Sequence, residues 1–132
     1  MKSVSTFSLK SKKSSVSTSN PFCNKRIFAD YLHDLVRMKN LLEPDVYKRA
    51  GISKQTWSNL YSAKTCPTPE NSRRLVIGLK CSLPEAEKLL ALCGYTFVEG
   101  CEYDDYIKTC LAKGIFNYTY VELNIYQNSI SA

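Results

Sequence analysis

The chain has 132 residues, 44% of them hydrophobic and 23% charged, enough for one globular domain around a single core. No apolar run approaches the roughly 20 residues that a membrane-spanning helix needs. Nothing near the start has the apolar centre of a secretory leader, so a membrane partner is not expected and a cytoplasmic location is.

The formal net charge of +6 is unevenly spread. Residues 1–80 hold 15 Lys/Arg against 5 Asp/Glu, and residues 81–132 hold 3 against 7. A basic first part fits a polyanionic partner. Its first 20 residues, MKSVSTFSLKSKKSSVSTSN, contain eight Ser, four Lys and no acid. Such a composition cannot bury enough apolar surface to fold alone, so 1–21 reads as a disordered basic tail. It is either an arm that follows DNA phosphates or a solvated segment.

The first predicted helix runs from about Lys25 to Lys39. Phe28, Tyr31, Leu32, Leu35 and Val36 repeat at the helical period, and Arg37 and Lys39 suit its C-terminal end. His33 lies off this stripe and reads as a surface group.

The stretch DVYKRAGISKQTWSNLY, Asp45 to Tyr61, reads as two short helices joined by a tight turn. Pro44 suits a first helical turn, and Val46, Tyr47 and Ala50 form one apolar face. Gly51 permits the left-handed backbone that ends a helix sharply. Ile52 can fill the gap between the helices, and Ser53 can cap the second. Trp57, Leu60 and Tyr61 share the buried face of that second helix. Lys54, Gln55, Ser58, Asn59 and Ser62 are left on the other, and amides can pair with adenine edges in a major groove.

On the spacing of Ala50-Gly51-Ile52-Ser53 and the apolar Trp57 and Leu60, this stretch resembles the helix-turn-helix of the Cro and phage-repressor family of XRE-type regulators. The resemblance spans roughly residues 27–95. It implies an all-α fold, with a compact five-helix lambda-repressor-like domain over 22–95, and a recognition helix from about Lys54 to Ser62 in the major groove of double-stranded DNA. Lys54, Gln55, Ser58 and Asn59 match its groove-facing positions and are expected to read bases. Lys48, Arg49, Ser53, Ser62, Lys64, Arg73 and Arg74 are expected to meet the DNA backbone. A homodimer is expected, because one such helix reads a half-site. The family usually has Ala where Tyr47 stands, so Tyr47 beside Trp57 implies a wider or rotated helix crossing.

After CPTP (Cys66 to Pro69), a helix is predicted from near Pro69 to about Lys80, with Leu75, Val76 and Leu79 facing the core. Ser82 and Glu85 have capping-box spacing, with Pro84 in the first turn and Gly94 after the last. Ala86, Leu89, Leu90 and Cys93 form that helix's core stripe.

Beyond Tyr95 the chain turns acidic and aromatic, and 96–132 reads as a helical extension packed on the same domain. A helix is predicted over Tyr103–Ala112, ended by Gly114. A last one is expected from about Tyr120 to Asn128, with Thr119 and Glu122 as its capping box. Tyr103, Tyr106, Phe116, Tyr118, Tyr120 and Tyr126 either extend the core or form a surface for a protein partner.

The six cysteines, Cys23, Cys66, Cys81, Cys93, Cys101 and Cys110, include no C-x-x-C pair. Free buried thiols are expected rather than a disulfide framework. With one histidine and no suitably spaced ligand pair, no metal or other cofactor is expected. Asp104 and Asp105 are adjacent and should point apart on a helix, which argues against a shared acid–base site. There is no Gly-rich phosphate loop, G-x-S-x-G or H-E-x-x-H motif, so an enzyme is not expected. The leading expectation is a sequence-specific DNA-binding regulator. The alternative is a protein-interaction module of the same fold, antitoxin-like or a phage-encoded inhibitor, acting through a protein partner.

Overall fold

A computed structural model of the chain describes residues 21–123. Among them the fold is all-α: α1 (Lys25–Met38), α2 (Glu43–Ala50), α3 (Lys54–Tyr61), α4 (Pro69–Gly78), α5 (Leu83–Leu92), α6 (Glu102–Lys113) and a seventh helix, α7, over 118–123.

Most helix starts are written in local chemistry. Asn24, Ser53 and Thr68 each accept the N–H three residues on, at 3.0 Å, opening α1, α3 and α4. Ser82 and Glu85 bond reciprocally as a capping box at the head of α5. Gly51 and Gly114 take left-handed φ values of 71° and 75° at the ends of α2 and α6. The last helix departs from expectation. Tyr120 N–H donates to Asn117 Oδ1 at 3.2 Å, so Asn117 is the cap and Thr119 lies inside the helix. The predicted remainder of that helix, and Tyr126, lie outside the described residues.

Helix α4 is the middle of the core. Leu75, Val76, Ile77 and Gly78 are fully buried, and α2 lies against them. The approach depends on Gly78. A Cβ there would sit 2.5 Å from the Val46 carbonyl oxygen and 2.7 Å from the Ala50 Cβ. Arg49 Nε then donates to the Gly78 carbonyl at 3.1 Å. Phe28, Leu32 and Leu35 of α1, Ala86 and Leu89 of α5, and Cys93 just past its end close around the same centre.

The described part of the C-terminal piece, 96–123, belongs to this core. Ile107, Cys110 and Leu111 of α6, with Tyr118 and Val121 of α7, are buried in the same apolar cluster. A buried ion pair ties it down. Arg73 on α4 meets Asp104 on α6 through two bonds of 3.1 Å, and also donates to the carbonyls of Thr96 and Pro69. The Val98 N–H donates to the same carboxylate at 2.8 Å. Burial alone would raise the Asp104 carboxyl. The Arg73 hydrogen bonds, the Val98 N–H and the nearby Arg73 and Lys108 charges outweigh it and hold the group below its ordinary range.

The cysteines correct the expectation of free thiols throughout. Cys23 and Cys66 form a disulfide, with Cα atoms 6.4 Å apart. It closes a loop of sequence separation 43, and chain-entropy arguments assign such a loop about 4 kcal/mol of stabilisation. Cys81, Cys93 and Cys110 are buried free thiols and Cys101 is half-buried. Burial pushes Cys81 and Cys93 up to about 12, so both stay protonated at neutral pH.

Two outcomes are expected. Gly78→Ala forces α2 and α4 apart and should lower stability by about 1–3 kcal/mol, as overpacking does, in urea unfolding. Asp104→Ala leaves Arg73 buried without its partner and should cost about 3–5 kcal/mol. The lowered carboxyl stabilises the fold above its unfolded value of about 3.9, and that contribution is lost as pH falls through the folded value. The wild-type urea midpoint should therefore fall in acid more steeply than that of Asp104→Ala.

Candidate nucleic-acid interface

Helix α3 is short, and short helices need outside support. At its start, Ser53 Oγ accepts the Thr56 N–H and donates to Thr56 Oγ1 at 2.9 Å. Along its inner face, Trp57 and Leu60 are buried, and Trp57 Nε1 donates to Glu43 on α2 at 2.8 Å. At its end the carbonyls are all engaged. Lys64 and Thr65 N–H groups bond back to the Asn59 carbonyl at 2.8 and 3.3 Å, and Ala63 N–H bonds to that of Leu60. Ser62 reaches the Ser58 carbonyl through both its N–H and its hydroxyl.

The Tyr61 carbonyl is taken by α1. His33 Nε2 lies 2.8 Å from it, and since a carbonyl only accepts, that nitrogen carries the hydrogen. The His33 ring also stacks on Tyr61 at 3.8 Å, and Tyr61 on Trp57 at 5.0 Å. His33 is therefore a structural group joining α1 to α3, half-buried, and not the free surface residue expected. Nothing in the sequence pattern marked it or Glu43, because both lie off the apolar stripes of their helices.

The outward face of α3 carries Lys54, Gln55 and Ser58, all exposed, and the half-buried Asn59. Gln55 Nε2 donates to Asn59 Oδ1 at 3.0 Å, so the two amides are held side by side one turn apart. Lys48 at the end of α2 and Lys64 just past α3 are exposed. A groove of about 400 Å³ runs between α2 and α3, lined by Pro44, Tyr47, Trp57 and Tyr61, with Lys54 and Ser58 at its edge. A second cavity of about 500 Å³ lies elsewhere, between α4 and the C-terminal piece.

Three arginines expected at the DNA backbone stand differently. Arg73 is buried and committed to Asp104, so the phosphate role expected for it is withdrawn. Arg74 is enclosed by Glu70, Glu122, the Gly51 carbonyl and the Tyr118 ring, 4.3 Å below its guanidinium. Arg49 is half-buried against Gly78, with one terminal nitrogen buried and unpartnered among the described residues. Ser53 and Ser62 are exposed, but their hydroxyl hydrogens already bond within the motif. The cationic surface beside α3 thus narrows to Lys48, Lys54 and Lys64.

Comparison with protein-family models, with curated proteins and with solved structures found no match to this chain.

Glu43→Ala should leave the buried Trp57 N–H without its acceptor. The expected cost is about 1–3 kcal/mol, with a shift in the emission of the chain's one tryptophan. Unaltered emission and stability would show that Glu43 does not hold α3.

Proposed function

We propose that the chain binds double-stranded DNA sequence-specifically as a transcriptional regulator, with α3 in the major groove. In this reading α1–α5 make a compact lambda-repressor-like five-helix unit of XRE type, and α6 and α7 extend its core. The observation that carries it is the division of α3. One face is buried and fastened to α1 and α2, and the other presents Lys54, Gln55, Ser58 and Asn59 to solvent. A helix that reads base edges needs both, because base contacts discriminate only when the reading side chains are held in register. The paired amides of Gln55 and Asn59 suit adenine, and Lys54 suits guanine or a phosphate. Lys48 and Lys64 supply phosphate charge, and two copies would read two half-sites.

A second reading, capture of a protein partner, is favoured by one feature of the C-terminal piece. Tyr120 and Leu123 on α7 are 49% and 56% exposed. Tyr103, Tyr106, Phe116 and Tyr118 do not add to that surface, since they pack in or against the core.

On a duplex chosen by site selection, Gln55→Ala and Asn59→Ala should each weaken binding by about 1–3 kcal/mol with circular dichroism unchanged. Lys54→Gln should lower the log–log salt slope by about 0.9 if it meets a phosphate. Full affinity in both amide variants would remove the base-reading roles.

A further inference from the structure

Tyr47 and Trp57 stand where α2 and α3 meet, and a groove of about 400 Å³ lies between the helices there. Such a volume falls within the roughly 300–1,000 Å³ of small-molecule sites. Two stripes at helical spacing face each other across it, Pro44 and Tyr47 on α2, and Lys54, Trp57 and Tyr61 on α3. The walls are ring faces: Tyr61 stacks on Trp57 at 5.0 Å with planes 26° apart, and both tyrosines are half-buried. The charges on the rim are unequal. Glu43 is engaged, because its Oε1 accepts the Trp57 indole N–H at 2.8 Å. With Asp45 it also offsets the positive end of α2, in whose first turn both lie. Lys54 makes no hydrogen bond or ion pair among the described residues, and the first turn of α3 holds no acid. The uncompensated charge at the groove is therefore positive. Ser58, one turn on from Lys54, adds a hydroxyl that is likewise unbonded among the described residues.

We infer that the α2–α3 groove binds a small aromatic carboxylate, and that this ligand and duplex DNA exclude one another. The ring of the ligand lies against Tyr47 and Tyr61, where aromatic faces stack. Its carboxylate meets the Lys54 ammonium and the Ser58 hydroxyl, which donate to it as charge-assisted hydrogen bonds. A ligand with an ammonium in that place would face Lys54 instead, and a neutral one would leave the cation unused. The site itself does not depend on the DNA reading above. The exclusion does, because Lys54 and Ser58 are the groups which that reading turns toward base edges.

In the test, three compounds of one carbon skeleton, phenylacetate, phenethyl alcohol and phenethylamine, are titrated into the full isotope-labelled chain. Nitrogen–proton correlation spectra follow the α3 amides and the indole N–H of Trp57, the chain's one tryptophan. Phenylacetate should bind saturably with a millimolar dissociation constant, the range open to a ligand of about ten heavy atoms. It should bind about three- to fivefold tighter than the alcohol, as one partly exposed charge pair allows. The amine should bind no tighter than the alcohol. In Lys54→Gln the advantage of the acid should vanish, and because Lys54 is exposed the variant keeps the fold. No saturable shift with any compound, equal affinity of acid and alcohol, tighter binding of the amine, or an undiminished acid preference in Lys54→Gln overturns the site. On a labelled duplex, phenylacetate at about ten times its dissociation constant should weaken binding about tenfold, against acetate at matched ionic strength. Unchanged duplex affinity there overturns the exclusion. Absence of duplex binding without ligand overturns the DNA reading, and the spectra alone then decide the site.

Discussion

The contact between Gly78 and α2 is the constraint on which the arrangement depends. Two helical backbones can approach this closely only where one of them lacks a side chain. Here the Val46 carbonyl and the Ala50 methyl occupy the space that a Cβ at Gly78 would take. The approach fixes α2 against the fully buried α4, and α3 is then placed relative to α2 by a turn of only Gly51, Ile52 and Ser53. Glu43 and His33 complete the placement from two sides, one holding the Trp57 ring and the other the last carbonyl of α3. A helix of 8 residues is too short to be stable alone, so its outward face inherits its geometry from these supports.

The charges follow a second logic, in which burial decides what a cation can do. Eighteen Lys and Arg in the sequence suggest a strongly basic surface, but several are consumed by the fold. Arg73 holds the C-terminal helices, Arg74 bridges α2, α4 and α7, and Lys39 joins Glu85 and the Lys80 carbonyl where α1 meets α5. A guanidinium that satisfies buried carbonyls and a carboxylate cannot also meet a phosphate without leaving an unpaired charge behind. Residues 21–132 carry 14 Lys and Arg against 12 Asp and Glu, so in the proposed DNA reading attraction would rest on where the remaining lysines stand.

Much of this was legible in the residues, and the exceptions have physical causes. Caps and glycines act over three or four residues, so Ser53, the Ser82–Glu85 box, Gly51 and Gly114 could be placed from local spacing. The stripes on α1, α4 and α5 followed from periodicity alone. Asn117 and Thr119 compete for one helix start within three residues, and local spacing did not separate them. Arg73 and Asp104 are 31 residues apart, and Cys23 and Cys66 are 43 apart. Such pairings depend on the packed fold, and an even cysteine count leaves many connectivities open. His33 was misplaced for a related reason: its partner is a main-chain carbonyl, which leaves no mark in a pattern of side chains.

The candidate site shows the same division between local and tertiary information. Which side chains face outward on α3 follows from the helical period once Trp57 and Leu60 are known to be inside. Which cations accompany them does not, because Arg49, Arg73 and Arg74 were drawn inward by carbonyls and carboxylates on other helices. In the proposed DNA reading this would shift discrimination toward hydrogen bonding. A face of two paired amides, a serine and one lysine contributes little long-range attraction, and its preference among sequences would come from short, directed contacts. The Cys23–Cys66 disulfide joins the start of α1 to the loop that closes α3, a further support for the helix. In the proposed DNA reading, specificity would rest on directed contacts from α3 and would depend little on net charge.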